Sequence, residues 1–64
     1  MTVNGEVFDV QDGATVRDVV ISTGAHPGAV AVALNGEVVP RGRHAETVVR
    51  TNDRVEVIRA VGGG

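Results

Sequence analysis

The sequence predicts an α+β domain built from two β-hairpins, one short helix between them and a last strand. Three observations carry this expectation. The dipeptides Asn4-Gly5 and Asn35-Gly36 each stand between apolar stretches, and both central residues of a type I′ hairpin turn need positive φ, which Asn and Gly supply. Thr15-Val16-Arg17-Asp18 has the spacing of a capping box at the start of a helix. Finally, the valine-rich pattern Val55-Glu56-Val57-Ile58-Arg59-Ala60-Val61 leads without interruption into Gly62-Gly63-Gly64.

Each element follows from local chemistry. The first hairpin pairs residues 1–3 with 6–10, and a two-residue loop sets Met1 opposite Phe8 and Val3 opposite Glu6. Met1, Val3, Phe8 and Val10 then share the core face, and Thr2, Val7 and Asp9 the other. Thr15 caps a helix that Gly24 can end in the left-handed conformation. Val16, Val19, Val20 and Thr23 form its apolar stripe, although Val19-Val20-Ile21 has the propensity of a strand. His26-Pro27-Gly28 is a loop. The strand of residues 29–34 alternates with period two, so Val30, Val32 and Leu34 face the core, and the second hairpin register adds Val39 to them. Ala29, Ala31, Ala33 and Val38 face outward, and Pro40 ends the strand. Residues 41–46 form a polar connection, Val48-Val49 anchors it, and Asn52-Asp53 turns the chain into the last strand. There Val55 and Val57 point inward while Glu56, Ile58 and Ala60 point outward.

Composition narrows the function classes. A chain of 64 residues is one domain at most, near the lower size at which packing alone sustains a fold. Cysteine is absent, which removes disulfides, thiolate metal sites and a thiol nucleophile. The formal charge is −2, the arginines are interspersed with acids, and Phe8 is the only aromatic residue. Neither the electrostatic footprint nor the stacking platform of a nucleic-acid binder is present. No apolar run reaches membrane-spanning length and residues 1–4 lack the character of a signal peptide, so a cytoplasmic protein is expected. His26 and His44 have no companions at metal-ligand spacing. Gly5, Gly13 and Gly36 are turn residues with no phosphate-loop pattern around them, so the chain itself is not expected to bind ATP.

The order of hairpin, helix, hairpin and final strand ending in Gly-Gly resembles the ubiquitin-like β-grasp fold, a mixed sheet of about five strands with one short helix packed across it. Within that fold the sequence is similar to the thiamine-biosynthesis sulfur carrier family, ThiS. The matching stretches are Val3-Asn4-Gly5-Glu6, Gly13-Ala14-Thr15-Val16, the run from Val32 to Arg41, and Asn52-Asp53-Arg54-Val55-Glu56-Val57 through to Gly63-Gly64. One departure is the helix, often leucine-rich in the family and here built on Val19-Val20-Ile21. The resemblance implies a β-grasp domain over residues 1–61 and a flexible tail over 62–64. It implies no catalytic side chains. The carboxylate of Gly64 would be adenylated with ATP by a ubiquitin-activating-type (ThiF-like) partner and converted to a thiocarboxylate. The sulfur would pass to a ThiG-like thiazole synthase, which makes the carrier a co-substrate, expected to be monomeric when isolated.

Physical chemistry agrees with such a tail. A carboxylate that attacks the α-phosphorus of ATP in another protein's active site must reach it on a thin extension. Without Cβ atoms, Gly62, Gly63 and Gly64 can thread a narrow channel, and three extended residues reach roughly 10 Å. With no cysteine, a persulfide on this chain is impossible. All six basic residues are arginine, so an activated acyl group meets no lysine amine on its own chain. The plain alternative for the glycines is a frayed end or a cloning remnant.

Around the tail, the outward face of Ala29, Ala31, Ala33, Val38, Ile58 and Ala60 reads either as a docking surface or as scattered small apolar residues. Val38, Ile58, Arg59 and Ala60 are the candidate residues for docking partners. Arg59, Arg41 and Arg43 either steer acidic partners or are ordinary solvated arginines. Two rival functions share the fold: the small sulfur-carrier subunit of molybdopterin synthase, whose members are usually longer, and a ubiquitin-like modifier or interaction module.

Overall fold

The computed structural model describes residues 1–59. Among these residues five strands, β1 (Thr2–Val3), β2 (Glu6–Val7), β3 (Val30–Leu34), β4 (Glu37–Val39) and β5 (Arg54–Arg59), make one sheet, and a single α-helix, α1 (Val16–Ser22), lies between β2 and β3 in the chain. Spatial order is β2-β1-β5-β3-β4. The hairpins therefore form the two flanks and the last strand fills the centre. It pairs parallel with β1 and antiparallel with β3, which makes the sheet mixed. This is the β-grasp arrangement.

Both hairpins have the expected registers. Val3 pairs with Glu6 and Thr2 with Val7, while Val32 pairs with Val39 and Ala33 with Val38. Asn4 and Asn35 both have φ of 52°, followed by positive φ at Gly5 and Gly36, the combination a type I′ turn requires. The first hairpin is shorter than the pattern predicts, since β2 ends at Val7. Pairing continues by two hydrogen bonds between Phe8 and Met1, from the Phe8 amide to the Met1 carbonyl at 2.9 Å and from the Met1 amino group to the Phe8 carbonyl at 3.4 Å, and Phe8 and Val10 still pack against the core.

The capping box is complete. The Asp18 amide donates to Thr15 Oγ1 at 3.2 Å, and the Thr15 amide donates to Asp18 Oδ2 at 2.9 Å. Those bonds satisfy two amides that the first helical turn leaves without partners, and they decide the competition between helix and strand at Val19-Val20-Ile21. The helix then buries Val16, Val19 and Val20, and Gly24 follows with φ of 82°.

Among the described residues, the eight buried apolar residues are all valines: Val3, Val16, Val19, Val20, Val30, Val32, Val49 and Val55. Met1, Phe8, Leu34, Val39 and Val57 border this cluster. A helix only seven residues long is marginal in isolation, so its apolar stripe must pack on the inner face of the sheet for it to form.

Three expectations need correction. Ala29 belongs to a 3-10 turn, Pro27–Ala29, rather than to the strand, because Pro27 presets the backbone and the Gly28 amide donates to Nδ1 of His26. Of the pair Val48-Val49 only Val49 is buried, while Val48 is 47% exposed and its backbone bridges Thr15. His44, read as part of a polar connection, is only 4% exposed. The 3-10 turn Arg41–Arg43 folds it inward, and its ring Nε2 lies 2.9 Å from the Val39 carbonyl. A carbonyl can only accept, so this nitrogen carries the proton.

Candidate functional site

The site is built around β5. Its central position means that the strand leading toward Gly62-Gly63-Gly64 is bonded on both flanks. Alternation along β5 divides its side chains: Val55 is buried and Val57 half-buried on the helix side, while Arg54, Glu56 and Ile58 are exposed. On the outer face Ile58 lies opposite Ala31, and Glu56 lies opposite Ala33. Ala33 in turn faces Val38 on the edge strand. Ile58 is 58% exposed and Val38 76%.

These pairings bring Ile58, Ala31, Ala33 and Val38 onto one continuous part of the sheet, with Glu56 on its border. Aliphatic side chains of this size, left open beside alanines, give a partner a shallow apolar seat. Arg59, the last described residue of β5, is exposed and pairs with Val30. Val7, 85% exposed, lies on the same face at the opposite flank, with Arg54 between it and the apolar seat. Ala60, Gly62, Gly63 and Gly64 lie outside the described residues.

The two turn asparagines also hold β5. Oδ1 of Asn4 accepts the Val57 amide at 2.8 Å, and Nδ2 of Asn4 donates to the Val57 carbonyl at 3.3 Å. Near the other end, Oδ1 of Asn35 accepts the Arg54 amide at 2.9 Å, while Nδ2 of Asn35 donates to Asp53 Oδ1 at 2.9 Å. Sequence reading finds these residues as turn formers and misses this second role. A signal was available: glycine or aspartate would serve the turn equally, whereas a carboxamide both donates and accepts.

Arg17, His26, Arg41 and His44 border a shallow cleft beside Pro27 and Ala45. Arg43 instead reaches Glu46 at 3.9 Å, with both side chains well exposed, a pair that contributes little in water. Among the described residues, no group of three or more His, Cys, Asp or Glu side chains is placed to share a metal ion. None of their helices is long and apolar enough to cross a membrane.

A five-stranded mixed sheet crossed by one helix, with its last strand central, defines a ubiquitin-like β-grasp protein. Its whole length, residues 1–64, matches the model of the ThiS family, and the chain belongs to that family. The crystal structure of the thiamine biosynthesis protein ThiS from Geobacter metallireducens is similar at 35% identity, with a TM-score of 0.78 over 98% of this chain and 96% of that one. The solution structure of a thiamine biosynthesis protein from the same organism gives the same TM-score and identity, over 85% of its chain. The chain is also 36% identical over 61 residues to a thiazole synthase of Magnetococcus marinus. A thiazole synthase of Paramagnetospirillum magneticum is 31% identical over 64 residues. The matches take in 95% and 100% of this chain, yet it spans only about a fifth of the length of these two relatives (19% and 20%).

Proposed function

We propose that this chain is a sulfur carrier of thiazole formation in thiamine biosynthesis, with residues 1–61 as a docking body and 62–64 as the tail that enters the enzymes it serves. The observation that carries the reading is the ThiS-family match over residues 1–64. The similarity to one segment of proteins named thiazole synthase supports an enzyme of that kind as the acceptor.

The chemistry assigned to the tail is acyl activation. The Gly64 carboxylate attacks the α-phosphorus of ATP in a partner of the ubiquitin-activating type, and pyrophosphate leaves. Hydrosulfide released by the sulfur donor then attacks the acyl carbon, AMP leaves, and loss of the proton gives a thiocarboxylate. Thiazole synthase receives that sulfur, and the carrier returns as the carboxylate. This chain supplies the reacting terminus and the surface that docks it, while the partner supplies the nucleotide site. Val38, Ile58, Arg59 and Ala60 are the proposed docking residues. Ile58 and Val38 offer apolar area on the outer face, and Arg59, which pairs with core-facing Val30 on the helix side of β5, offers a cation at the end of the described strand.

Intact mass tests the reading directly. The chain is incubated with ATP, an activating enzyme and a sulfur donor, beside a copy lacking Gly64. Exchange of one oxygen for sulfur on the full-length chain alone is expected. An unchanged mass with a demonstrably active enzyme, or an amide conjugate to another protein, overturns the carrier reading.

A further inference from the structure

The main chain of Asn4 donates to the Val55 carbonyl at 2.8 Å and then turns away into the hairpin, with φ of 52°. Along the flank of β5 that faces β1, the next main-chain groups belong to Val57. Asn4 reaches these with its side chain, through Oδ1 at 2.8 Å and Nδ2 at 3.3 Å. The carboxamide thus replaces the peptide group that a longer β1 would have offered. It supplies one more rung of the ladder after the backbone has left it.

We infer that Asn4 is a positioning residue for the tail chemistry: by bonding both main-chain groups of Val57 it fixes the direction in which β5 leaves the sheet toward Gly64. This rests on the sulfur-carrier reading above. A carrier whose exit strand is already held straight loses less conformational freedom when an enzyme orders the tail, so preorganisation lowers the concentration of carrier needed for half-saturation. The chemical step itself is left unchanged.

Asn35 supplies a matched control within the same molecule. It has the same φ of 52° at the same place in its own Asn-Gly turn, and it accepts a β5 amide at nearly the same distance, 2.9 Å from Arg54. It differs in lying at the beginning of β5. Asn4→Gly and Asn35→Gly each preserve the positive φ and delete only the carboxamide.

The experiment measures ATP-dependent thiocarboxylation against carrier concentration for the wild type and both variants. Amide exchange at Val57 and Arg54 reports loss of each clamp in the free chain. Asn4→Gly should raise the carrier's KM roughly fivefold, the scale of one lost hydrogen bond, with kcat unchanged. Asn35→Gly should leave KM near the wild-type value while losing similar stability. Equal KM values for Asn4→Gly and the wild type, or equal rises in both variants, overturn the positioning role. A wild-type chain that is never thiocarboxylated overturns the carrier reading instead, and this inference falls with it.

Discussion

His44 donates its Nε2 proton to the carbonyl of Val39 across 2.9 Å, tying the connection after β4 back onto the end of that strand. The main chain of His44 adds a second tie, since its carbonyl accepts the Arg17 amide at 3.0 Å in the first turn of the helix. One residue thereby joins three parts of the fold.

Replacing His44 with Ala keeps the main-chain tie and removes the ring. The part-buried Val39 carbonyl then loses the ring N–H, and a void opens where the imidazole stood. The expected loss is about 2 kcal/mol, read as a lower urea midpoint with an unchanged slope. A loss below about 0.5 kcal/mol, the scale of an ordinary surface substitution, would show that the ring bond contributes nothing.

The valine core gives a graded prediction. Val55 and Val20 are both fully buried, and Val→Ala removes the same atoms from each. Val55→Ala in β5 should cost about 2 kcal/mol. Val20→Ala in the helix should cost roughly 0.5 kcal/mol less, because alanine is the better helix former. Val7→Ala, at an 85% exposed position, should fall within about 0.5 kcal/mol of the wild type. Chemical denaturation of the three variants checks the order.

Ile58→Glu tests the proposed docking face. Ile58 is more than half exposed, at 58%, so the substitution should leave the unfolding midpoint nearly unchanged. Binding to the activating enzyme or to thiazole synthase should weaken about tenfold or more, as expected for a charge placed in an apolar seat. Calorimetric titration measures it, and unchanged affinity for both enzymes would remove Ile58 from the interface.

Much of this architecture was legible in the sequence because its signals are local. An Asn-Gly turn of two residues sets a hairpin register without reference to the rest of the chain, and Val3–Glu6 and Ala33–Val38 pair accordingly. The capping box likewise depends on residues three apart. His44 is not legible, because its burial depends on the 3-10 turn that folds it back onto the end of β4 and on the helix at Arg17, far off in the chain, while Arg41, Arg43 and Glu46 mark its own segment as polar. Ala29 was misread since apolar alternation says nothing about the 3-10 turn that Pro27 begins. The site divides in the same way. The outer-face positions of Val38 and Ile58 follow from strand period, whereas the hold of Asn4 on Val57 links residues 53 apart in the chain and no local pattern announces it.

The central place of β5 also has a mechanical meaning. On the proposed carrier reading, a partner that draws on residues 62–64 loads a strand flanked by parallel β1 and antiparallel β3. Load along that strand shears the hydrogen bonds of both flanks together, whereas an edge strand peeled sideways would release them one after another. The body can therefore act as a stop. Under that reading, traction by an enzyme on the terminus leaves the sheet that carries it intact.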